Sequence, residues 1–233
     1  MRAVLLGNVQ FRGGGDYGPT GGGAVDELLG GGLESGTVTK GYGPPAAGKT
    51  NLGLSEVIEV AGAGEVALYI DTEGLSADRM AQIARGRADG TNLTVDDLAG
   101  RLIVSEVYDY DEQTEAVQDA AEFAPEVALV VLDSATGHYR LRRDDDDGGE
   151  TLRDVARQIT HLLSLARKHD LAVVFTNQVF TDPDSDRSMA LGGHTLNHWS
   201  GAILRLDRFR GGNRRATPEK HRARPAGATV QFS

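Results

Sequence analysis

Residues 43–50 read Gly43-Pro-Pro-Ala-Ala-Gly-Lys-Thr50, and their reading decides the fold. Before them lies Thr37-Val-Thr-Lys-Gly-Tyr42, a strand-like segment; after them a helical stretch runs from about Lys49 to Ala61. The spacing G-x-x-x-x-G-K-[ST] between a strand and a helix is that of a phosphate-binding loop. Glycines let successive backbone N–H groups turn inward as a nest, and the helix N-terminus adds the positive end of its dipole. In this reading Gly43, Pro44, Pro45, Ala46, Ala47 and Gly48 wrap the phosphates. Lys49 bridges the β- and γ-phosphates and the Thr50 hydroxyl ligates Mg²⁺. The bland alternative, a chance glycine-rich turn, does not account for the flanking strand and helix.

Outward from this loop the chain alternates. Strands are expected at 66–71, 102–105, 127–133 and 171–176, with helices at 24–29, 76–87, 111–123 and 150–169 between them. The run Val127-Ala-Leu-Val-Val-Leu-Asp133 is apolar throughout, as a parallel strand buried on both faces requires. The pattern predicts an α/β fold with a mostly parallel, helix-flanked sheet. Segments 203–209, 217–222 and 228–232 read as short antiparallel strands at its edge. Trp199, the sole tryptophan, is expected on an edge strand in a packing or interface role.

Three further residues fit phosphate chemistry. Asp133 ends the apolar strand, where a phosphate-loop protein keeps an acid beside Mg²⁺; the alternative is an Asp capping a strand end. Glu73 follows strand 66–71 and could polarise a water for attack on the γ-phosphate; a solvated surface Glu is the equal alternative. Gln178, ending strand 171–176, could sense the γ-phosphate and report it to the following loop.

Composition narrows the options. The 233 residues suffice for one core without staples, and there are no cysteines, which excludes disulfides, Cys-based zinc sites and a thiol nucleophile. No apolar run approaches a membrane span and no leader is evident, so a soluble cytoplasmic protein without membrane partners is expected. The formal net charge is −10, with only four Lys against twenty Arg. An excess of carboxylates with few lysines suits a salty cytosol. Against that acidic background, residues 203–224 hold eight cations and two acids, a net +6, with Phe209 and glycines interleaved. Arginines on flexible glycines can track a nucleic-acid backbone; a face that balances the acidic body or meets a partner is the even alternative.

The ordered set Thr20-Gly-Gly-Gly-Ala-Val-Asp-Glu-Leu-Leu-Gly-Gly-Gly32, the phosphate loop, Tyr69-Ile-Asp-Thr-Glu-Gly74, Leu132-Asp-Ser134, Thr176-Asn-Gln-Val179 and Leu191-Gly-Gly-His-Thr-Leu-Asn-His198 resembles the RecA/RadA recombinase ATPase core. The resemblance covers about residues 19–232 and is nearest to the family's short archaeal paralogues, of haloarchaeal type. It implies a RecA-like phosphate-loop ATPase core over 19–233, preceded by a flexible arm at 1–18 and without a helix–hairpin–helix domain. The implied cofactors are ATP and Mg²⁺. Glu73 matches the family's water-activating glutamate, Gln178 its switch glutamine and Asp133 its Mg²⁺-side acid. Arg79 matches the arginine on adenine, and His198 the histidine approaching ATP across a subunit interface. A helix-surface arginine pairing Asp78 or Asp71, and a satisfied core histidine, are the alternatives for these last two.

Departures from the family carry functional weight. The arm has no aromatic-x-x-Ala polymerisation segment, since Phe11 is followed by Arg-Gly-Gly, and the Asp-Ser-Pro cap is replaced by Arg222-Ala-Arg-Pro225. The first DNA loop carries Arg140, Arg142 and Arg143 but then Asp144 to Asp147; the second carries Asp182, Asp184 and Asp186 against Arg187. Neither suits tight phosphate binding. The candidate DNA residues are Arg208, Arg210, Arg214 and Arg215 on the basic strip, with Arg140 and Arg142. The resemblance implies an accessory protein of DNA repair and recombination: ATP-binding, weakly hydrolytic, without strand exchange of its own. Its expected partners are single-stranded or branched DNA, the RadA recombinase and a Holliday-junction resolvase. The alternatives are a DNA-dependent ATPase forming its own filament, and a phosphate-loop kinase or signalling ATPase.

Overall fold

The computed structural model describes residues 17–18, 25, 28–29, 31–138, 149–181, 188–209, 213–222 and 228–232. Its centre is an eight-stranded sheet. Six strands run parallel: β3 (Val38–Tyr42), β4 (Ala67–Asp71), β5 (Leu102–Glu106), β6 (Leu129–Asp133), β7 (Ala172–Asn177) and β10 (Ala202–Arg208). β11 (Arg214–Lys220) and β12 (Val230–Phe232) extend it antiparallel, giving the order β12-β11-β10-β3-β7-β6-β4-β5. The first C-terminal strand therefore differs from the expectation: β10 lies parallel to β3, and only its other edge pairs antiparallel. Two small hairpins stand apart, β1 (Tyr17–Gly18) with β2 (Leu33–Glu34) and β8 (Val179–Thr181) with β9 (Ser188–Ala190).

Alternate residues of the central strands enter two cores, one on each sheet face. Leu68, Ile70, Val130, Leu132, Val173 and Phe175 meet α4 (Tyr110–Phe123) and α5 (Gly149–His169). Tyr69, Leu129, Val131, Val174, Leu204 and Leu206 meet α1 (Lys49–Gly62), through Leu54, Val57, Ile58 and Ala61. Burial on both faces is why these strands read as continuous apolar runs.

On the α1 side lie α2 (Ala77–Ala88) and the single-turn α3 (Val95–Ala99). Ser76 caps α2, and Thr94 with Asp97 forms a capping box at α3, so polar side chains fix both helix starts. The last helix, α6 (Gly193–Trp199), leads into β10. It places Trp199 at a helix end, not on an edge strand, half-exposed with its ring edge against His198. Among the described residues no helix is long and apolar enough to cross a membrane.

Candidate functional site

The phosphate loop leaves the C-terminal end of β3, between β7 and β10. Ala46 (φ 60°) and Gly48 (φ 99°) take left-handed conformations, and between them the Ala47 N–H donates to the Pro44 carbonyl at 3.2 Å, closing the loop on itself. Gly43 answers a different demand. A Cβ there would lie 2.2 Å from the Leu206 carbonyl oxygen, so only glycine lets the loop pass this close to β10. Helix α1 then begins with no side-chain cap and no acid in its first turn. Its first N–H groups and dipole are left for an anion, so the residues fit a bound phosphate chain.

Lys49 folds back over this loop, its Nζ donating to the carbonyls of Gly43 at 3.1 Å and Pro44 at 3.2 Å. Burial lowers its pKa, opposed by the Glu73 and Asp133 charges. A cation held among apolar and backbone groups gains from any anion that arrives. Asp133 is buried at the end of β6. It accepts from Tyr69 Oη at 2.7 Å and from the Thr176 hydroxyl. Burial pushes its carboxyl up, while these hydrogen bonds and one from Thr50 hold it down. Asp133 thus stands behind Thr50. Among the described residues no group of three His, Asp or Glu could hold a metal by itself. Mg²⁺ would rest on Thr50 with Asp133 behind it, and its other ligands would be phosphate and water oxygens.

Glu73 reaches the same cavity from the turn after β4. The Asp71 carboxylate shapes that turn, accepting from the backbone N–H groups of Glu73, Gly74 and Leu75. Glu73 Oε1 accepts from Ser134 Oγ at 3.0 Å and Gln178 Nε2 at 2.9 Å. The Gln178 carbonyl in turn accepts from Leu191 N–H at 3.0 Å, at the base of the β8–β9 hairpin. Gln178 therefore joins the carboxylate to that hairpin through one residue. Gly43, Gly48, Lys49, Thr50, Glu73 and Gln178 line one cavity of about 440 Å³, together with Pro45, Ala46, Asn51, Val179 and Arg214. Ala47 is buried beneath the loop.

Arg79 pairs neither Asp78 nor Asp71. Its Nε donates to Asn51 Oδ1 at 3.0 Å and its guanidinium to Gln82 at 2.6 Å, beside the cavity that Asn51 lines. His198 is exposed on α6 and is no core histidine. It does not line this cavity.

The basic strip divides by strand period. Arg205 and Arg215 share a face with Asp207 and Glu219 and are matched by them. Arg205 meets Asp207 at 3.3 Å and Glu219 at 3.2 Å, and Arg215 meets Asp207 at 3.0 Å while lying over Phe209. Glu219 also accepts from Tyr42 Oη at 2.6 Å, and Lys220 donates to the Asn197 carbonyl. The net +6 of the sequence is therefore no uniform cationic face. Arg208 and Arg222 stay exposed, and Arg214 turns to the phosphate-loop cavity. Arg140, Arg142 and Arg210 lie outside the described residues.

Sequence reasoning missed one buried group. Lys40, in the middle of β3, is fully buried, and its Nζ donates to Asn197 Oδ1 of α6 at 2.8 Å. Burial pushes its pKa down to about 8. The signal was a lone Lys within an otherwise buried strand.

The fold and this cavity define a RecA-type phosphate-loop core. Comparison with known proteins agrees: the family model described as Rad51 matches residues 18–221. DNA repair and recombination protein RadB of Halobacterium salinarum is 61% identical over 217 residues, covering 92% of this chain and 90% of the relative. The protein of the same name from Methanococcoides burtonii is 44% identical, covering 90% of this chain and 91% of its own length. A solved structure described as the RadB recombinase superposes with a TM-score of 0.75 at 35% identity, covering 90% and 92% of the two chains. The chain belongs to the Rad51 family, among its RadB proteins.

Proposed function

We propose that this protein is an ATP- and Mg²⁺-binding accessory factor of DNA repair and recombination that turns ATP over slowly and does not itself exchange strands. The observation that carries the reading is the single cavity holding an uncapped helix N-terminus, Lys49, Thr50 and Glu73, linked by Gln178 to the β8–β9 hairpin.

In this reading the loop N–H groups and Lys49 bind the phosphates; Thr50, with Asp133 behind it, would hold Mg²⁺, which would supply charge neutralisation at the phosphoryl oxygens. Arg79 and Asn51 flank the base. Glu73 orients the attacking water. Glu73 Oε1 accepts hydrogen bonds from Ser134 and Gln178, which fix the carboxylate in one orientation, so turnover is slow. Rearrangement of Gln178 frees Glu73 and moves the hairpin together. The acid-rich composition of both DNA loops and the self-matched outer face of β10–β11 argue for weak, salt-sensitive contact with single-stranded or branched DNA. Such a protein acts beside a RadA-type recombinase or a junction-cleaving enzyme. Of the arm expected at 1–18, Tyr17–Gly18 are strand β1, paired with Leu33–Glu34; the rest lies outside the described residues.

The intact Glu73–Gln178 link supports a second reading, a DNA-dependent ATPase that assembles its own filament. One experiment separates them: steady-state ATP hydrolysis in high salt, with and without single-stranded DNA. Slow turnover, little changed by DNA, supports the accessory role. Strong stimulation that disappears in Glu73→Gln overturns it. Co-purification with a RadA recombinase, compared between wild type and Lys49→Ala, tests the partnership.

A further inference from the structure

We infer that Arg214 belongs to the nucleotide site, its guanidinium gripping the polyphosphate from the C-terminal hairpin of the same chain. The inference deepens the ATP reading above and rests on it.

Register comes first. Arg214 stands opposite Arg208, and Ala216 opposite Leu206. Side chains alternate across a strand. Arg214 therefore shares the face of Leu204, Leu206 and Ala216, which is buried against the α1 side of the sheet. The phosphate loop packs on that same side, Ala47 lying in one core with Leu204, Leu206 and Ala216. Arg215, one residue on, points to the opposite face and pairs with Asp207. The same two strands thus send one arginine to a carboxylate and its neighbour into the phosphate-loop cavity.

Charge comes second. Like charges directly opposite on paired strands repel, and Arg208 and Arg214 are such a pair. Among the described residues no carboxylate pairs with Arg214, and its Nε is enclosed without a hydrogen-bond partner. A buried guanidinium N–H without an acceptor is costly, and a guanidinium matches phosphate oxygens through parallel N–H donors. The cavity that Arg214 lines with Lys49, Thr50 and Gln178 is where such oxygens would lie.

The test is equilibrium binding of Mg·ATP to the full chain in high salt, by calorimetry, for wild type, Arg214→Ala, Arg214→Lys and Arg167→Ala. Arg167, exposed at the far end of α5, controls for loss of one charge. Arg214→Ala should weaken ATP binding at least about tenfold, Arg214→Lys should recover part of it, and Arg167→Ala should match wild type. The melting temperature without nucleotide, and retention of single-stranded DNA without nucleotide, should be unchanged in Arg214→Ala. If Arg214→Ala melts early, Arg214→Gln, which keeps the side-chain volume, replaces it. ATP affinity within twofold of wild type, or a loss confined to DNA retention, overturns the inference. If wild type itself binds no ATP, the nucleotide reading falls and this inference with it; normal wild-type binding with an indifferent Arg214 sinks the inference alone.

Discussion

The phosphate loop and the outer face of the β10–β11 hairpin lie on neighbouring strands and treat positive charge in opposite ways. Around the loop, Lys49 bonds to backbone carbonyls, α1 starts uncapped and Arg214 meets no carboxylate among the described residues. On the hairpin's outer face, Arg205 and Arg215 are matched by Asp207 and Glu219, with Tyr42 completing the group. The first region keeps its positive potential for a ligand, and the second spends it internally. Counting charges along a chain cannot separate these cases; strand period can.

The largest expected effect tests the first region. Lys49→Ala should weaken ATP binding by about a hundredfold, the loss of a charge-assisted contact of about 3 kcal/mol. Undiminished binding by calorimetry would break the comparison at its stronger side. Gly43→Ala tests whether loop and β10 are truly in contact. The added methyl meets the Leu206 carbonyl, so thermal unfolding should show a loss of about 1–3 kcal/mol along with weaker ATP binding.

Lys40 sits on β3 between the two regions and gives a pH signature. Burial drops its folded-state pKa from 10.5 to about 8, so above that pH the unfolded chain holds a proton that the folded one has released. Stability contributed by this group therefore rises with pH from about 8 upward, by at most about 1.4 kcal/mol per pH unit. Tyr42 and Tyr69, whose pKa values burial raises, reverse the trend above about 10, where the unfolded tyrosines ionise first. Urea midpoints between about pH 8 and 9.5 should climb in wild type and stay flatter in Lys40→Met. Equal slopes would show that the lysine is solvated.

The smallest effect sharpens the second region. Asp207→Asn with Glu219→Gln should change stability by less than about 1 kcal/mol, because these pairs are half-exposed. The double variant should nevertheless hold single-stranded DNA more firmly at low salt, with a steeper fall as salt rises. An unaltered salt slope would mean that this face does not meet DNA.

Much of this was legible in the sequence because the governing signals are local. The phosphate loop is contiguous, and the buried strands announce themselves as apolar runs. Asp133 ends a strand, and Gln178 and Glu73 come one and two residues after theirs, so placing the strands placed them at one sheet end. Other features depended on what lay across space. Helix α6 buries only Leu196 and opens on two left-handed glycines, so it shows no helical period and Trp199 read as strand. Arg214 was grouped with the basic strip because net charge ignores alternation. Its neighbours Leu204, Leu206 and Ala216 held the clue, but reading it required the β10–β11 register. Lys40 is balanced by Asn197, distant in the chain, which no local pattern could supply.

The close passage of Gly43 under β10 has an evolutionary side. The C-terminal strands cannot be trimmed as an appendix. Ending the chain before Ala202 would take away one wall of the cavity and expose the backbone edge of β3, the strand from which the loop springs. Unprotected edges recruit strands from other molecules. Shortening this protein from its C-terminal side would then exchange a ligand site for an aggregation site in a single deletion.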